Sequence, residues 1–237
     1  MSTIDTSGLA PAPPTETPYS KASYRYFVLG VLTLVYALNF VDRQLLVILQ
    51  EQIKVELELS DTQLGLLSGL SFAIFYVVCG IPIARWADKG VRRNIIALSL
   101  TVWSGMTAIS GLSQNYLHLL LARIGVGVGE AGGSPPAHSM ISDIFPEKER
   151  ATALSVYSIG IYIGILTGFA LGGFIAEAFG WRMAFFVVGV PGILVALFLR
   201  FAVAEPIRGW SEKRETEAGN NPTFFTVLKF LWSRKTF

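Results

Sequence analysis

Six long apolar stretches constrain the fold of this 237-residue chain more than any other feature. Each is long enough for an α-helix to cross a hydrocarbon layer about 30 Å thick, which takes around 20 residues. The composition agrees, because 15% of the residues are charged, against roughly 25% in soluble domains. We predict an all-α membrane protein with six transmembrane helices, at Tyr26–Leu49, Leu64–Ala84, Ile95–Leu112, Leu117–Met140, Ala153–Phe179 and Met183–Phe201.

The apolar stretches divide the chain into four predicted regions. Residues 1–24 are polar and proline-rich, and we expect a disordered tail. Residues 25–203 hold the bundle of six helices, and residues 204–221 form a polar central loop. Residues 222–237 carry apolar side chains at helical spacing, which predicts an amphipathic segment lying at the membrane interface.

The distribution of Lys and Arg predicts the orientation of the bundle. If the N-terminus is cytoplasmic, 15 of the 19 basic residues lie inside and two lie within spans. Only Lys54 and Arg182 then lie outside. Basic residues favour the cytoplasmic side of a membrane, so we expect a multi-pass protein of the inner or plasma membrane with both ends of this segment in the cytoplasm.

Four charged residues lie inside predicted spans, where ionisable groups are costly and tend to line a cavity or meet a partner. Asp42 and Arg43 lie in the first span, and Arg123 and Glu130 in the fourth. At 1.5 Å per residue, Asp42 and Arg123 reach a similar depth, and Glu130 lies about 10 Å deeper. A permanent ion pair is one interpretation, but it leaves Glu130 without an obvious partner. A carboxylate near the midplane is more typical of a proton or substrate site.

Weaker candidates for a cavity wall are Asn39, Tyr36, His138, Tyr157 and Tyr162, each of which also suits a packed or interfacial position. The sequence has no serine–histidine–aspartate set, no paired cysteine ligands and no HExxH motif. We therefore expect no enzyme activity, no metal, no cofactor and no nucleic-acid partner.

Glycines recur at every fourth position of the fifth span, as Gly160, Gly164, Gly168 and Gly172. Such a ladder lies on one helix face and lets another helix approach closely. We predict a packing surface. In the fourth span, the pair Pro135–Pro136 predicts a bend or interruption of the helix.

A compact group of charges follows the second span, in ARWADKGVRRNII. Asp88, Arg92 and Arg93 are either ordinary cytoplasmic charges or a latch that ties helix ends together in one conformation. Asp143 and Arg150, between the fourth and fifth spans, are the candidate counterpart.

These motifs together resemble the N-terminal half of a major facilitator superfamily transporter. The stretches ALNFVDRQLL, LSDTQLGLLSG, RIGVGVGEAGGSPPAHSMISDIFPEKERATALS and GWRMAFF are similar to the Spinster branch in particular. The sequence departs from the superfamily pattern at Gly90, one place early, and at Lys89, where an arginine is usual. The fifth span lacks the Gly-Pro pair typical of drug/proton antiporters, because Ile165 follows Gly164.

The resemblance implies a proton-coupled exporter of lysophospholipids or sphingosine-1-phosphate-like lipids that works by alternating access. It implies proton coupling at Asp42 and Glu130, and substrate binding at Arg43, Arg123, Asn39, Tyr36 and Tyr157. It also implies a second six-helix half that completes the central cavity. The alternatives are an organic-anion or sugar-acid transporter of the same superfamily, and a lipid scramblase or a scaffold that transports nothing.

Overall fold

The computed structural model describes residues 17–212 and, beyond them, Thr226, Phe230, Trp232 and Ser233. Within residues 17–212 the chain is helical and has no strand. A short 3₁₀ helix, Pro18–Ser20, precedes the first long helix, and a π-helical turn, Leu66–Leu70, joins α2 to α3. The α-helices are α1 Ala22–Glu56, α2 Asp61–Gly65, α3 Ser71–Lys89, α4 Arg92–Ser110, α5 Tyr116–Glu130, α6 Ser134–Ile144, α7 Glu147–Phe179 and α8 Trp181–Ala202.

Four helical segments of the described chain are long and apolar enough to cross a membrane: Ala22–Glu56, Asp61–Lys89, Glu147–Phe179 and Trp181–Ala202. They correspond to the first, second, fifth and sixth predicted spans. The third corresponds to α4, whose polar residues lower its hydropathy. The fourth is divided into α5 and α6, so the count of six continuous spans stays a prediction.

The interruption of the fourth span lies just before the proline pair that predicted it. Helix α5 ends at Glu130, three residues form a turn, and α6 begins at Ser134, with Pro135 in its first turn. Proline fits this position because the first helical N–H groups have no partner within their own helix. The break leaves Glu130 at the end of α5, next to the turn.

The predicted glycine ladder is the surface on which α7 packs against α1. A Cβ added at Gly160 would lie 2.7 Å from the carbonyl oxygen of Thr33, and one at Gly164 would collide with that of Ala37. Gly168 and Gly172 continue the contact along Val41 and Leu45. The absence of side chains lets the two backbones approach closely. This contact fixes the helix that carries Asp42 and Arg43.

The bundle has two ends, which we name by their charged residues. The Arg92 end holds the first turn of α1, the C-terminus of α3, the N-terminus of α4 and the loop after α8. The Glu56 end holds the C-termini of α1 and α4 and the N-termini of α3 and α8. There, the Trp181 indole N–H donates a 2.5 Å hydrogen bond to Glu56, which also pairs with Arg182. Arg182 donates to the backbone carbonyl of Ser113, so this group joins α1, α8 and the α4–α5 loop.

Tyr19 corrects the prediction of a disordered tail over residues 1–24. Its ring is 2% exposed, and its hydroxyl donates to the Ala204 carbonyl beyond α8. The ring also lies 6.5 Å from Trp210. Burial raises the pKa of Tyr19, so the hydroxyl remains a neutral donor. Residues 1–16 and most of the predicted amphipathic segment 222–237 lie outside the described residues.

Candidate functional site

The four charged residues predicted inside the spans come together as two ion pairs between α1 and α5. A terminal nitrogen of Arg123 lies 3.6 Å from an Asp42 carboxylate oxygen. The Nε of Arg43 donates a 2.7 Å hydrogen bond to Glu130. The second pair corrects the expectation that Glu130 lacks a partner. Because α5 ends at Glu130, its side chain can reach Arg43 on α1.

The two pairs differ in exposure. Asp42, Arg123 and Glu130 are each 2% exposed or less, whereas the Arg43 side chain is 30% exposed. Arg43 is therefore the member of the group that water or a ligand can reach directly. We call the four residues Asp42, Arg43, Arg123 and Glu130 the charged tetrad.

Several polar atoms of the tetrad have no hydrogen-bond partner within the described chain. They are both carboxylate oxygens of Asp42, the Nε and Nη1 of Arg123, and Oε1 of Glu130. Buried polar groups normally form hydrogen bonds, and an unsatisfied one costs about 1–3 kcal/mol. The tetrad therefore retains hydrogen-bonding capacity that a proton, water or a polar ligand group can use.

Aromatic rings surround the exposed guanidinium of Arg43. Its central carbon lies 4.9 Å from the ring centroid of Phe72, 5.2 Å from that of Phe40 and 5.2 Å from that of Tyr76. All three rings are partly buried. Contacts of this kind stabilise a cation by about 0.5–2 kcal/mol, depending on desolvation. The rings and the bond to Glu130 fix the guanidinium while leaving part of it accessible.

The remaining predicted cavity residues lie on the Arg92 side of the tetrad or beside it. Tyr36 is partly buried and stacks on Tyr157, with centroids 4.3 Å apart, and Tyr157 is 2% exposed. His138 of α6 lies edge-on to Tyr157 at 5.2 Å. Asn39 is 5% exposed. The structure places Tyr36 on the accessible surface, but buries Tyr157 and Asn39.

The predicted cytoplasmic latch includes an ion pair between Arg92 and its candidate counterpart Asp143, and a further acid outside the predicted set. Arg92 is 1% exposed and pairs with Asp143 and with Glu205, at 2.9 Å from the latter. It also donates to the Ser139 hydroxyl and to the Pro206 carbonyl. Arg92 therefore joins α4, α6 and the segment after α8. Glu205 was not among the predicted gate residues, although it lies in the polar stretch EPIRGW directly after the sixth span.

The segment after α8 binds several other helix ends. Glu205 accepts a hydrogen bond from the backbone N–H of Arg93, and Arg93 donates to the Val203 carbonyl. Arg208 donates to the carbonyls of Ala87 and Gly90, at the C-terminus of α3. Arg150 contacts the Ser211 hydroxyl at 3.4 Å. These contacts form a continuous network at the Arg92 end.

Asp88 stands outside this network. It is exposed, and the described part of the chain offers it neither a hydrogen bond nor a salt bridge. Asp88 therefore contacts neither Arg92 nor Arg93 in this structure, and its part in a latch stays a prediction. Both arginines point instead to the segment after α8, which offers them carboxylate and carbonyl oxygens.

Comparison with known proteins gives a consistent pattern of similarity. Residues 32–237 match the family model described as the Major Facilitator Superfamily. The chain is 42% identical over 167 residues to an MFS-type efflux pump of Mycolicibacterium smegmatis, covering 70% of this chain and 39% of that protein. It is 32% identical over 192 residues to the probable galactarate/D-glucarate transporter GudP of Bacillus subtilis, covering 78% and 42%.

A solved structure shows the same similarity in three dimensions. It is a bacterial homologue of the human lysosomal transporter Spinster in an inward-facing, unoccupied conformation. The TM-score is 0.78 and the sequence identity 39%, over 90% of this chain and 50% of that one. The chain thus spans half of that structure and about two fifths of the two curated relatives.

Proposed function

Because this chain belongs to the major facilitator superfamily and is similar to the N-terminal half of a Spinster protein, we propose that it forms half of a proton-coupled lipid exporter. The substrate is a lysophospholipid or a sphingosine-1-phosphate-like lipid, and transport follows alternating access. A C-terminal half of six further helices completes the cavity and is the principal partner. Both ends of this segment face the cytoplasm.

The observation that carries this proposal is the bond between Arg43 and Glu130. A partly exposed arginine is held by a buried carboxylate whose second oxygen has no hydrogen-bond partner among the described residues. Such a carboxylate can take up a proton, and its hold on the arginine then weakens because the Coulomb attraction is lost. The guanidinium, freed from Glu130, can bind the phosphate of a lipid through charge-assisted hydrogen bonds.

The surroundings of Arg43 suit a lipid substrate. Phe40, Phe72 and Tyr76 provide apolar area beside the cation. A lipid with one acyl chain presents an anionic head next to a long apolar chain, and this surface matches both. Asp42 and Arg123 form the second, buried ion pair. A proton bound to Asp42 would neutralise its carboxylate and so change the net charge of this pair as well.

The network at the Arg92 end is the proposed gate. Arg92 and Asp143 hold α4 to α6, and Arg150 approaches the segment after α8. These contacts hold the helix ends together as one unit, and this unit moves against the C-terminal half when the cavity opens to the cytoplasm. Asp88, which is exposed, supplies a carboxylate for a contact in another conformation.

A sugar-acid transporter of the same superfamily is the second candidate, favoured by the similarity to GudP of Bacillus subtilis. Its substrate would be a small dicarboxylate, for which Arg43 and Arg123 also suffice as cationic partners. Sugar hydroxyls, however, require several hydrogen-bonding side chains, and the accessible residues around Arg43 are mainly aromatic.

The test is uptake of labelled lysolipid by proteoliposomes that contain the full-length transporter, with and without a pH gradient. We expect the wild type to respond to the gradient and Glu130→Gln to lose the response while still folding. Competition by unlabelled lysolipid supports the proposal, whereas competition by glucarate alone favours the sugar-acid alternative. Lysolipid movement in the wild type that ignores the pH gradient would indicate a scramblase, and no movement under any gradient would leave a scaffold.

A further inference from the structure

Phe72 occupies a position that links the two ion pairs of the tetrad. The central carbon of Arg43 lies 4.9 Å from the centroid of its ring, and that of Arg123 lies 5.8 Å from the same centroid. One aromatic ring on α3 therefore contacts the cation of each pair. Phe72 is itself partly buried and packs at the edge of the apolar core.

The backbone at Phe72 is held tightly against α5. A Cβ added at Gly127 would lie 2.9 Å from the Phe72 carbonyl oxygen and 3.3 Å from its ring. Gly127 lies between Arg123 and Glu130 along the helix, one turn from each. The glycine therefore lets the backbone and ring of Phe72 pack on α5 between the positions of Arg123 and Glu130, where a larger residue would displace them.

The tetrad residues near the Phe72 ring differ in exposure. Arg43 is 30% exposed, but Asp42 and Arg123 are 1% and 3% exposed as side chains. Their polar atoms nevertheless lack hydrogen-bond partners within the described residues. A compartment with unsatisfied polar groups attracts water, so whatever closes its accessible side controls the entry of water and protons.

We infer that Phe72 is a gate that separates the buried Asp42–Arg123 pair from the accessible surface at Arg43. When the ring lies against both arginines, water reaches Arg43 but not Asp42. When the ring moves away, Asp42 becomes accessible and can exchange a proton. Phe72 is a positioning residue: it acts through the arginines and does not itself titrate.

The chain next to Phe72 provides a means for this movement. The π-helical turn Leu66–Leu70 ends two residues before it, and the Ser71 hydroxyl donates a 2.6 Å hydrogen bond to the Leu66 carbonyl. A π turn contains one residue more than an α turn requires, and such turns occur often at functional sites. Conversion of this turn to α-helix rotates the residues beyond it, including Phe72. The ring of Tyr76, stacked on Phe72 at 5.6 Å, moves with it.

The first test measures access to Asp42 without using transport. The full-length transporter in detergent is treated with a water-soluble carbodiimide and glycinamide, and labelling at Asp42 is followed by mass spectrometry. In Phe72→Ala we expect the labelling rate at Asp42 to rise roughly tenfold, which corresponds to about 1.4 kcal/mol and to the low end of what two cation–π contacts contribute. Phe72→Trp, which restores a ring, should return the rate to that of the wild type.

Two controls separate a gate from general loosening. Phe75 lies on the same helix, is 37% exposed and makes no ring or cation contact in the described chain, so Phe75→Ala should leave Asp42 labelling unchanged. Glu56, whose side chain is 50% exposed, reports reagent activity in every sample. The gate is rejected if Phe72→Ala labels like the wild type, or if Phe75→Ala labels as fast as Phe72→Ala.

The second test concerns pH and rests on the proposed function. Phe72→Ala should shift the pH profile of lysolipid transport, and Phe75→Ala should not. An unchanged profile in Phe72→Ala, in a protein that transports, contradicts the gate. If the wild type transports no lysolipid, the proposed function fails, and the labelling test still decides on Phe72. The charged or titratable groups at the ring are Arg43, Arg123 and Tyr76, with Glu130 and Asp42 as the ion-pair partners of the two arginines.

Discussion

Arg92 and Arg123 are both buried arginines paired with acids, but their hydrogen bonding differs. Arg92 makes hydrogen bonds to Ser139, Asp143, Glu205 and the Pro206 carbonyl. Arg123 approaches Asp42 only to 3.6 Å, and two of its nitrogens have no hydrogen-bond partner in the described chain. Arg92 thus forms a hydrogen-bonded junction between helix ends, which we call the fixed joint. Arg123 forms an ion pair whose polar atoms are incompletely hydrogen-bonded.

This difference has a physical consequence. A fully hydrogen-bonded buried charge loses much when any partner is removed, so it holds one arrangement. An incompletely bonded pair loses less, and can exchange partners or accept a proton at low cost. We infer that the Arg92 network maintains the shape of the bundle end, whereas the charged tetrad is the part that changes state during transport.

The largest expected effect is on stability, at Arg92. Arg92→Ala leaves Asp143 and Glu205 without their shared cation. Because both acids are partly exposed, we expect a loss of about 2–4 kcal/mol, at or below the usual cost of breaking a buried pair. The measurement is the apparent Tm of the detergent-purified protein. Arg200→Ala, at the same end but outside the network, is the control and should change the Tm little.

An Arg92→Ala protein as stable as the wild type would remove the contrast between the two sites. It would mean that water replaces the lost bonds freely, and that the network is not a fixed joint. Arg92→Lys sharpens the test, because an ammonium retains the charge but cannot make the same planar set of bonds. We expect it to be intermediate.

A smaller effect on stability, with a larger one on transport, is expected at Asp42. Asp42→Asn removes a buried charge that accepts no hydrogen bond from the described residues, and a neutral amide is cheaper to bury. It also leaves Arg123 unpaired, so the two changes offset each other within about 1–2 kcal/mol. Proton-linked transport should be lost while the Tm stays near that of the wild type. A large fall in Tm would show that the pair is a structural joint like Arg92.

Part of this contrast could be predicted from the sequence and part could not. Helical rise alone predicted a similar depth for Asp42 and Arg123. In the structure a terminal nitrogen of Arg123 lies 3.6 Å from an Asp42 carboxylate oxygen. The glycine spacing of α7 predicted its packing surface, because a repeat of four residues maps directly onto one helix face. These features depend on the periodicity of single helices.

The features that were missed depend on how helices meet. The bond between Arg43 and Glu130 joins α1 to the last residue of α5, and Phe72 reaches both arginines because α3 lies against Gly127. Phe72 and Tyr76 are spaced by four residues, which predicts a shared face but not what the face contacts. Glu205 lies in a loop, where no periodicity reports its direction. The contacts of Arg92 and Arg93 with the segment after α8 could not be predicted for the same reason.

The smallest effect on stability is expected for Asp88. This variant tests whether the Asp88 side chain takes part in the contacts that hold the Arg92 end together. Asp88 is exposed and lies outside the Arg92 network, so Asp88→Ala should leave the Tm unchanged, since exposed pairs contribute only about 0–1 kcal/mol. If Asp88 engages another helix end in one conformation, its loss shifts the balance between conformations instead. We would measure the reactivity of Ser142→Cys, in a protein that also carries Cys79→Ser, toward a membrane-impermeant maleimide in inverted vesicles, with Lys89→Ala as the matched control. A change in reactivity with Asp88→Ala, without a change in Tm, supports a latch that forms only in another state. Equal reactivity in both variants and the wild type removes Asp88 from the gate and leaves the Arg92 network as the joint at this end.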